Sequence, residues 1–504
     1  MASPEPRRTT GVSLSWPGKP TGDHPKPASG VQLRSLERWE PSARLESSTR
    51  VPVTLVAGDA VAVLDAWRGG DPTLPADPVR LIYLDPPFAT GTTFTAEIPV
   101  GERQALWPSL RLPAYRDVWS GGLPGYLTFM HGLLARLRDV LADDGWLCLH
   151  CDHRASAHLR LILDEQFGPG AFRNEIVWSY GLGNGTSRRG FPRKHDTLLL
   201  YANSDAAVFR PIRGDVSQAM ASKYRHVRAD GTRFMRSYGR EYDLRGGKPV
   251  GSVWEIPAVA PTSGERTGYP TQKPVALLER LIAATTAPGD LVLDPCCGSG
   301  TTLLAASGLG RASIGIDASP LAIAATRQRL VRAQVPLVIL ASELVGTSVH
   351  GDPVGGHHAG PPRRYELVAD ATSGSRSPAG RGFLTVALED LRVVGVAVNE
   401  PAPARLTFAL GNGILIRSDR ADEPIIGHWA DWLTGWAVHL GVRGDATACP
   451  FVPVASCFRT GRDRTLATTL TIALGRADAP VSVSLRLYDV FGAWFDVTIP
   501  TSAA

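Results

Sequence analysis

Two buried-strand patterns in this chain close on an aspartate and a tight turn, and no other feature limits the fold as strongly. Val79-Arg80-Leu81-Ile82-Tyr83-Leu84 runs into Asp85-Pro86-Pro87-Phe88, and Asp290-Leu291-Val292-Leu293 runs into Asp294-Pro295-Cys296-Cys297-Gly298-Ser299-Gly300. Open α/β sheets bind ligands in this way, with an acid and a turn at the carboxyl end of a strand. Strands and helices alternate around both strings. The strand near Val51 to Asp59 precedes a helical pattern from Val61 to Trp67. Leu127, Met130, Leu133, Leu134, Leu137, Val140 and Leu141 recur at helical spacing, and the strand Trp146 to Cys151 and the helix Ala155 to Phe167 follow. After an interruption come the helices Val275 to Thr286 and Thr301 to Leu309, the strand Ala312 to Ile316 and the helix Pro320 to Val335. The pattern predicts an α/β fold, a Rossmann-like doubly wound sheet.

A chain of 504 residues is too long for one ordinary core. Residues 1–48 are rich in Pro, Ser, Gly and Arg without periodicity and read as a disordered tail. The core is expected at 49–174 and 268–340, with an insertion at 175–267 and a linker at 341–380. From 381 to 504 short alternating strands recur between turns, which predicts an all-β sandwich. Asp489-Val490-Phe491-Gly492 is similar to the last hairpin turn of PKD-type, immunoglobulin-like domains.

No apolar run approaches the roughly 20 residues of a membrane span, and no apolar signal core stands near residue 1. A cytoplasmic protein with no membrane contact is expected. Six cysteines suit a reduced compartment. Cys148 and Cys151 form a CxxC, but no second ligand pair has metal spacing, so they read as small buried side chains and no metal is expected. The net charge is only +5, yet Arg173 to Arg266 holds 16 Lys and Arg against 9 Asp and Glu, a local +7. That excess favours a polyanion partner, although a solvated basic surface would look the same.

Each string has its own chemistry. Glycines at 298 and 300 let backbone approach a ligand and present helix N-terminal N–H groups to it. Asp317 ends the next strand about 20 residues on, where such folds place an acid for ribose hydroxyls. A ribose-bearing cofactor is the inference, against a structural turn with Asp317 as a helix cap. In Asp85-Pro86-Pro87-Phe88 two prolines stiffen the turn and offer no N–H. A carboxylate, a rigid carbonyl and an aromatic face suit a planar ring bearing an NH₂ group. In a duplex that amine is hidden, so the base must be flipped out.

Together the strings resemble the catalytic and cofactor loops of S-adenosylmethionine-dependent amino-group DNA methyltransferases in the permuted, catalytic-first order. The resemblance runs from about Val51 to Leu330 and is closest to type III restriction-modification adenine methyltransferases. Tyr115-Arg116-Asp117-Val118-Trp119, Asp152-His153-Arg154-Ala155-Ser156, Arg173-Asn174-Glu175-Ile176-Val177-Trp178 and Gly315-Ile316-Asp317-Ala318-Ser319-Pro320 support it. It implies a catalytic set of Asp85, Pro86, Pro87 and Phe88, with S-adenosylmethionine held by Asp294, Pro295, Gly298, Ser299, Gly300, Thr301 and Asp317. In Gly268-Tyr269-Pro270-Thr271-Gln272-Lys273-Pro274, Thr271 and Lys273 are the polar candidates for enclosing the methionine part of the cofactor. Cys296 stands where the family often carries Phe.

An acid before Pro-Pro favours adenine N6 in this family, whereas Ser there favours cytosine N4. The alternatives are cytosine N4, RNA as substrate, and a non-catalytic DNA-recognition subunit. The insertion is expected to recognise double-stranded DNA, with Arg188, Arg189, Arg193 and Lys194 beside a glycine-rich loop. A homodimer or a restriction or defence partner subunit is a possible assembly. No helicase or nuclease motif is present, so any restriction activity belongs to another chain.

Overall fold

The hydrophobic runs that close on aspartates become neighbouring strands in the middle of a ten-stranded sheet. The computed structural model describes residues 13–20, 30–40, 50–98, 110–181 and 190–344 (except 215, 217, 245 and 246). Beyond these it describes 366–368, 385–388, 391–394, 405–410, 414–417, 433–441, 451–459, 469–473, 482–489 and 494–500. The elements begin with β1 (Val31–Trp39), β2 (Val53–Ala57), α1 (Ala60–Arg68), β3 (Val79–Leu84) and the hairpin β4 (Thr92–Ile98) and β5 (Leu110–Asp117). Next come α2 (Leu123–Val140), β6 (Leu141–Cys151), α3 (Ser156–Phe167), β7 (Phe172–Ser179) and β8 (His195–Ala202). An excursion holds α4 (Gln218–Ala221), β9 (His226–Val227), β10 (Arg233–Ser237) and β11 (Arg240–Asp243). The chain returns through β12 (Val253–Glu255), α5 (Val275–Thr285), β13 (Leu291–Asp294), α6 (Thr301–Gly308), β14 (Ala312–Asp317), α7 (Pro320–Arg332) and β15 (Leu337–Leu344).

The strand order is β1-β15-β2-β14-β13-β3-β6-β8-β7-β12. From β15 to β6 every pair is parallel; β1 and β8 run against their neighbours, and β7 and β12 return to the common direction. A period of two sends alternate side chains of a strand to opposite faces. Ile82 and Leu84 accordingly join α1, α2 and α3 on one face, while Leu81 and Tyr83 meet α5 and α6 on the other. Burial on both faces explains why these strands read as continuous apolar runs. Asp85, Asp294 and Asp317 fall at the same edge because β3, β13 and β14 are adjacent and parallel.

The domain limits read from the sequence need three corrections. Residues 31–39 belong to the sheet instead of a disordered tail, since β1 pairs with β15 from Val31↔Leu344 to Trp39↔Leu337. Mixed polar and apolar residues hid it: its inward positions Leu33, Glu37 and Trp39 are buried. The expected insertion at 175–267 contains β8, β12 and most of β7, and β7 and β8 form an antiparallel pair within the sheet. The excursion proper lies between β8 and β12. Residues 341–344, assigned to the linker, complete β15.

Residues 1–12, 21–29 and 41–48 of the expected tail and 345–365 and 369–380 of the expected linker lie outside the described residues. So do Val490, Phe491 and Gly492 of the expected hairpin turn. Beyond β15 the described residues form short strands, among them a four-stranded sheet of Ala455–Phe458, Leu433–Gly441, Ser482–Asp489 and Trp494–Pro500. The sandwich packing expected there depends largely on residues outside those described.

That sheet is joined to β1. Arg38 N donates to Phe451 O at 2.9 Å and Phe451 N to Leu36 O at 3.2 Å. Buried Glu37 accepts Arg486 Nη1 at 3.0 Å and Tyr488 OH at 2.8 Å, and Trp39 Nε1 bonds the same carboxylate. Arg327 of α7 lies 3.8 Å from the Tyr488 ring centroid. Removing one partner of a buried pair leaves an uncompensated charge, a loss of about 3–5 kcal/mol, whereas an apolar pair of similar volume is often neutral. Arg486→Ala is therefore expected to lower the urea-unfolding free energy by about 3 kcal/mol or more, with Glu37→Met/Arg486→Met recovering most of it. A loss below about 1 kcal/mol in the single variant would show that this contact does not tie the two sheets.

Candidate active site

Asp85 opens the turn after β3, half-buried, and Lys273 Nζ donates to its Oδ2 at 2.6 Å. The same ammonium stands 5.4 Å from the centre of the Phe88 ring. Lys273 is placed by its own segment, because Gln272 Nε2 donates to Glu265 O at 2.7 Å and Thr267 N to Gln272 Oε1 at 2.8 Å. Glu265 Oε1 accepts Val275 N at 2.8 Å and Arg329 Nη2 at 3.1 Å, which fixes the start of α5 against α7.

The turn is set by a residue 29 positions away from Phe88. Fully buried Asp117, at the end of β5, accepts the N–H groups of Phe88 and Ala89 at 3.1 Å and of Thr90 at 2.8 Å. It also accepts Thr90 Oγ1 at 2.7 Å and Trp119 Nε1 at 2.8 Å. Ala89 is left-handed at φ +57°, which costs a residue with a Cβ roughly 1–2 kcal/mol. Three successive N–H groups on one carboxylate hold it there.

Behind Phe88 lies His150 of β6, fully buried, with ring centres 5.8 Å apart. Its Nδ1 is 2.7 Å from Tyr83 OH and its Nε2 3.2 Å from Asp196 Oδ2. Trp178 meets it edge-on at 5.6 Å, and Tyr180 OH donates to Asp196 Oδ1 at 3.5 Å. Burial alone would raise the Asp196 carboxyl. The hydrogen bond and charge of His150 and the charge of Lys273 outweigh it, so the group lies below the ordinary carboxylate value.

In the glycine turn, Asp294 accepts Cys296 N at 3.1 Å and Thr302 Oγ1 at 2.5 Å, while Asp317 accepts Gly298 N and Ser319 N at 2.8 Å each. Burial, with the charges of Asp85 and Asp317, pushes the Asp294 carboxyl up to about 7, and burial pushes Asp317 up to about 6. Gly298 and Gly300 have φ +51° and +72°. A Cβ on Gly300 would come within 2.6 Å of Thr326, so this approach needs glycine twice over.

The structure therefore gathers Asp85, Phe88, Lys273, Asp294, Gly298, Gly300 and Asp317 at one sheet edge. Other candidates are used internally. Thr301 Oγ1 donates to Lys273 O at 3.1 Å and accepts Arg329 Nη1 at 2.8 Å, and Ser299 and Pro295 are buried. The Thr271 hydroxyl lies 3.3 Å from Tyr115 OH. Lys273 points to the Asp85 turn, whereas the resemblance assigned it to the cofactor. Arg193 is exposed and Lys194 half-buried, at the foot of the β7–β8 loop. Arg188 and Arg189 lie outside the described residues. Cys148 and Cys151, three apart on one strand, face opposite cores, and burial pushes both thiols up. The roles of Asp117, His150, Asp196, Glu265 and Arg329 have no spacing signal. Each depends on contacts between distant segments.

Three carboxylates at neighbouring strand ends, two raised by burial, suit a ligand that brings positive charge and hydroxyl donors. S-adenosylmethionine offers both, through a sulfonium, an ammonium and a ribose. Asp317 would hold the ribose hydroxyls, and the N–H groups at the start of α6 and Asp294 would flank it.

Residues 79–328 match the family model described as DNA methylase, the N6/N4 class. The type II methyltransferase M.EcaI of Enterobacter cloacae is 27% identical over 324 residues, covering 54% of this chain and 68% of that protein. The DNA adenine methyltransferase YhdJ of Escherichia coli K12 is 28% identical over 272 residues, covering 52% of this chain and 78% of that protein. Among solved structures, the M1.HpyAVI–SAM complex aligns at 20% identity with a TM-score of 0.33, over 55% of this chain and 98% of that one. Through residues 79–328 the chain belongs to the DNA methylase family. It is a DNA methyltransferase, and its methyl donor is S-adenosylmethionine.

Lys273 offers a test of the geometry. If it serves Asp85, Lys273→Met is expected to lower turnover at least about tenfold through lost positioning, while the donor's dissociation constant stays within about threefold. Calorimetry beside steady-state kinetics separates the two. A large affinity loss with turnover unchanged would return Lys273 to the cofactor.

Proposed function

We propose that the protein methylates adenine N6 in double-stranded DNA at a fixed recognition sequence, acting on a base flipped out of the helix. The observation that carries this reading is the turn Asp85-Pro86-Pro87-Phe88, held by Asp117 and Lys273 beside the glycine turn. When bound, the donor supplies an electrophilic methyl group. The Asp85 carboxylate and the Pro86 carbonyl accept the two N–H groups of the exocyclic amine. That holds the nitrogen lone pair toward the glycine turn, and Phe88 stacks on the ring. The C–N bond would form with loss of the donor's S–C bond, and the surplus proton on the nitrogen would pass to the Asp85 carboxylate that accepts its hydrogen bond and from there to solvent. His150 supports Phe88 from behind, and Trp178 and Tyr83 hold His150 in turn.

Adenine is favoured by the acid before Pro-Pro and by the name of the YhdJ relative. Arg193 and Lys194 fit phosphate contact on the same loop-bearing edge. The comparison with type II methyltransferases favours a role in restriction-modification, with any nuclease on another chain. Cytoplasmic location fits a DNA substrate.

Asp85→Asn keeps the side chain's shape but replaces one acceptor oxygen by an NH₂ donor facing the amine. Turnover on DNA carrying the recognition site is expected to fall about a hundredfold or more, with donor affinity changed less than about threefold. Retention of more than about a tenth of wild-type turnover would remove Asp85 from the amine-accepting role.

A further inference from the structure

We propose that Phe191 is the wedge that fills the gap left in the base stack when the target base leaves the duplex. The inference rests on the flipped-base reading above. Phe191 is 97% exposed, between Gly190 and Pro192 in the loop joining β7 to β8. A lone exposed apolar side chain is ordinary on a protein surface, so its placement on this loop, and not its exposure, carries the inference. The loop is closed at its base, where Tyr180 N donates to Lys194 O at 3.2 Å, and Pro192 fixes the backbone beside the ring.

The topology places this loop at the catalytic edge. β7 runs in the same direction as β3 and β6, with β8 antiparallel between β6 and β7, so the turn from β7 to β8 emerges where Asp85 leaves β3. Its root bears Tyr180 and Asp196. Asp196 holds His150, and His150 lies against Phe88. The loop thus shares its foundation with the target pocket. Exposed Arg193 and neighbouring Lys194 bring positive charge to the side of the ring, suited to the phosphates that flank a flipped nucleotide. Tyr238, also fully exposed, turns the β10–β11 hairpin of an excursion that begins at the other end of β8.

Extruding a base leaves its stacked neighbours facing a void. Proteins that unstack base steps insert Phe, Leu, Ile, Met or Pro into such gaps. A ring at this position stabilises the flipped state without touching the target base, so its contribution scales with the difficulty of extrusion.

The test uses the full-length protein with Phe191→Ala and Phe191→Trp. Three substrates carry the recognition site: a matched duplex, a duplex with an abasic site opposite the target, and a single strand. Phe191→Ala is expected to lower kcat/KM about tenfold or more on the matched duplex and to stay within about threefold of wild type on the other two, where extrusion is easy. Phe191→Trp is expected to retain most activity on all three, and donor affinity to be unchanged. Two results overturn the wedge: no loss on the matched duplex, or an equal loss on all three substrates, which marks a structural or general contact. A wild-type protein that methylates none of the three overturns the flipped-base reading itself, and the wedge with it.

Discussion

Three neighbouring carboxylates, Asp294 buried and Asp85 and Asp317 half-buried, set the terms for the rest of this site. Asp85, Asp294 and Asp317 stand at the ends of adjacent parallel strands; loss of water raises the Asp294 and Asp317 carboxyls, and the charges of Asp85 and Asp317 raise Asp294 further. The surrounding structure answers each differently. Asp85 receives a buried ammonium, Asp294 a hydroxyl and one N–H, and Asp317 two backbone N–H groups. Only Asp85 has a full opposite charge at contact distance among the described residues, the arrangement that best keeps a carboxylate available as an acceptor. Asp294 and Asp317 remain raised, a state that a cationic ligand with hydroxyl donors relieves.

The same contacts join the two halves of the permuted core. Lys273 comes just before α5, more than 180 residues after Asp85 in sequence, and its carbonyl accepts Thr301 Oγ1 at the first turn of α6. The catalytic turn, the entry to α5 and the glycine turn are therefore linked through one residue. Asp117 adds a second constraint by fixing the left-handed Ala89. Because the hydrogen bonds are made within the protein, the acceptors proposed for the target amine are pre-placed, and little reorganisation would be left for the reacting complex.

The central sheet was legible in the sequence because buried parallel strands read as apolar runs and the two aspartate-turn strings mark their ends. Edge strands were not legible. β1 alternates charged and apolar residues and gains its place only through β15 and the Glu37 cluster, contacts that span hundreds of residues. β7 and β8 were hidden by the basic, glycine-rich loop between them, which made the whole region look like an insertion. The CxxC was read correctly as buried, and the physical reason is strand geometry, since residues three apart face opposite layers. Lys273 was found by its motif and expected at the cofactor, whereas its ammonium meets Asp85, because spacing cannot say which carboxylate an ammonium meets once the chain has folded.

The most direct test of the central claim is nucleoside mass spectrometry. Unmodified duplex DNA is incubated with the purified protein and S-adenosylmethionine carrying a deuterated methyl group, then digested and resolved. The wild-type protein is expected to yield deuterated N6-methyl-2′-deoxyadenosine, and Asp85→Asn to lose it. Deuterated N4-methyl-2′-deoxycytidine instead would contradict the choice of base while keeping the role of the Asp85 turn. Label on a ring carbon, or equal labelling by the wild-type and Asp85→Asn proteins, would contradict the account of the site.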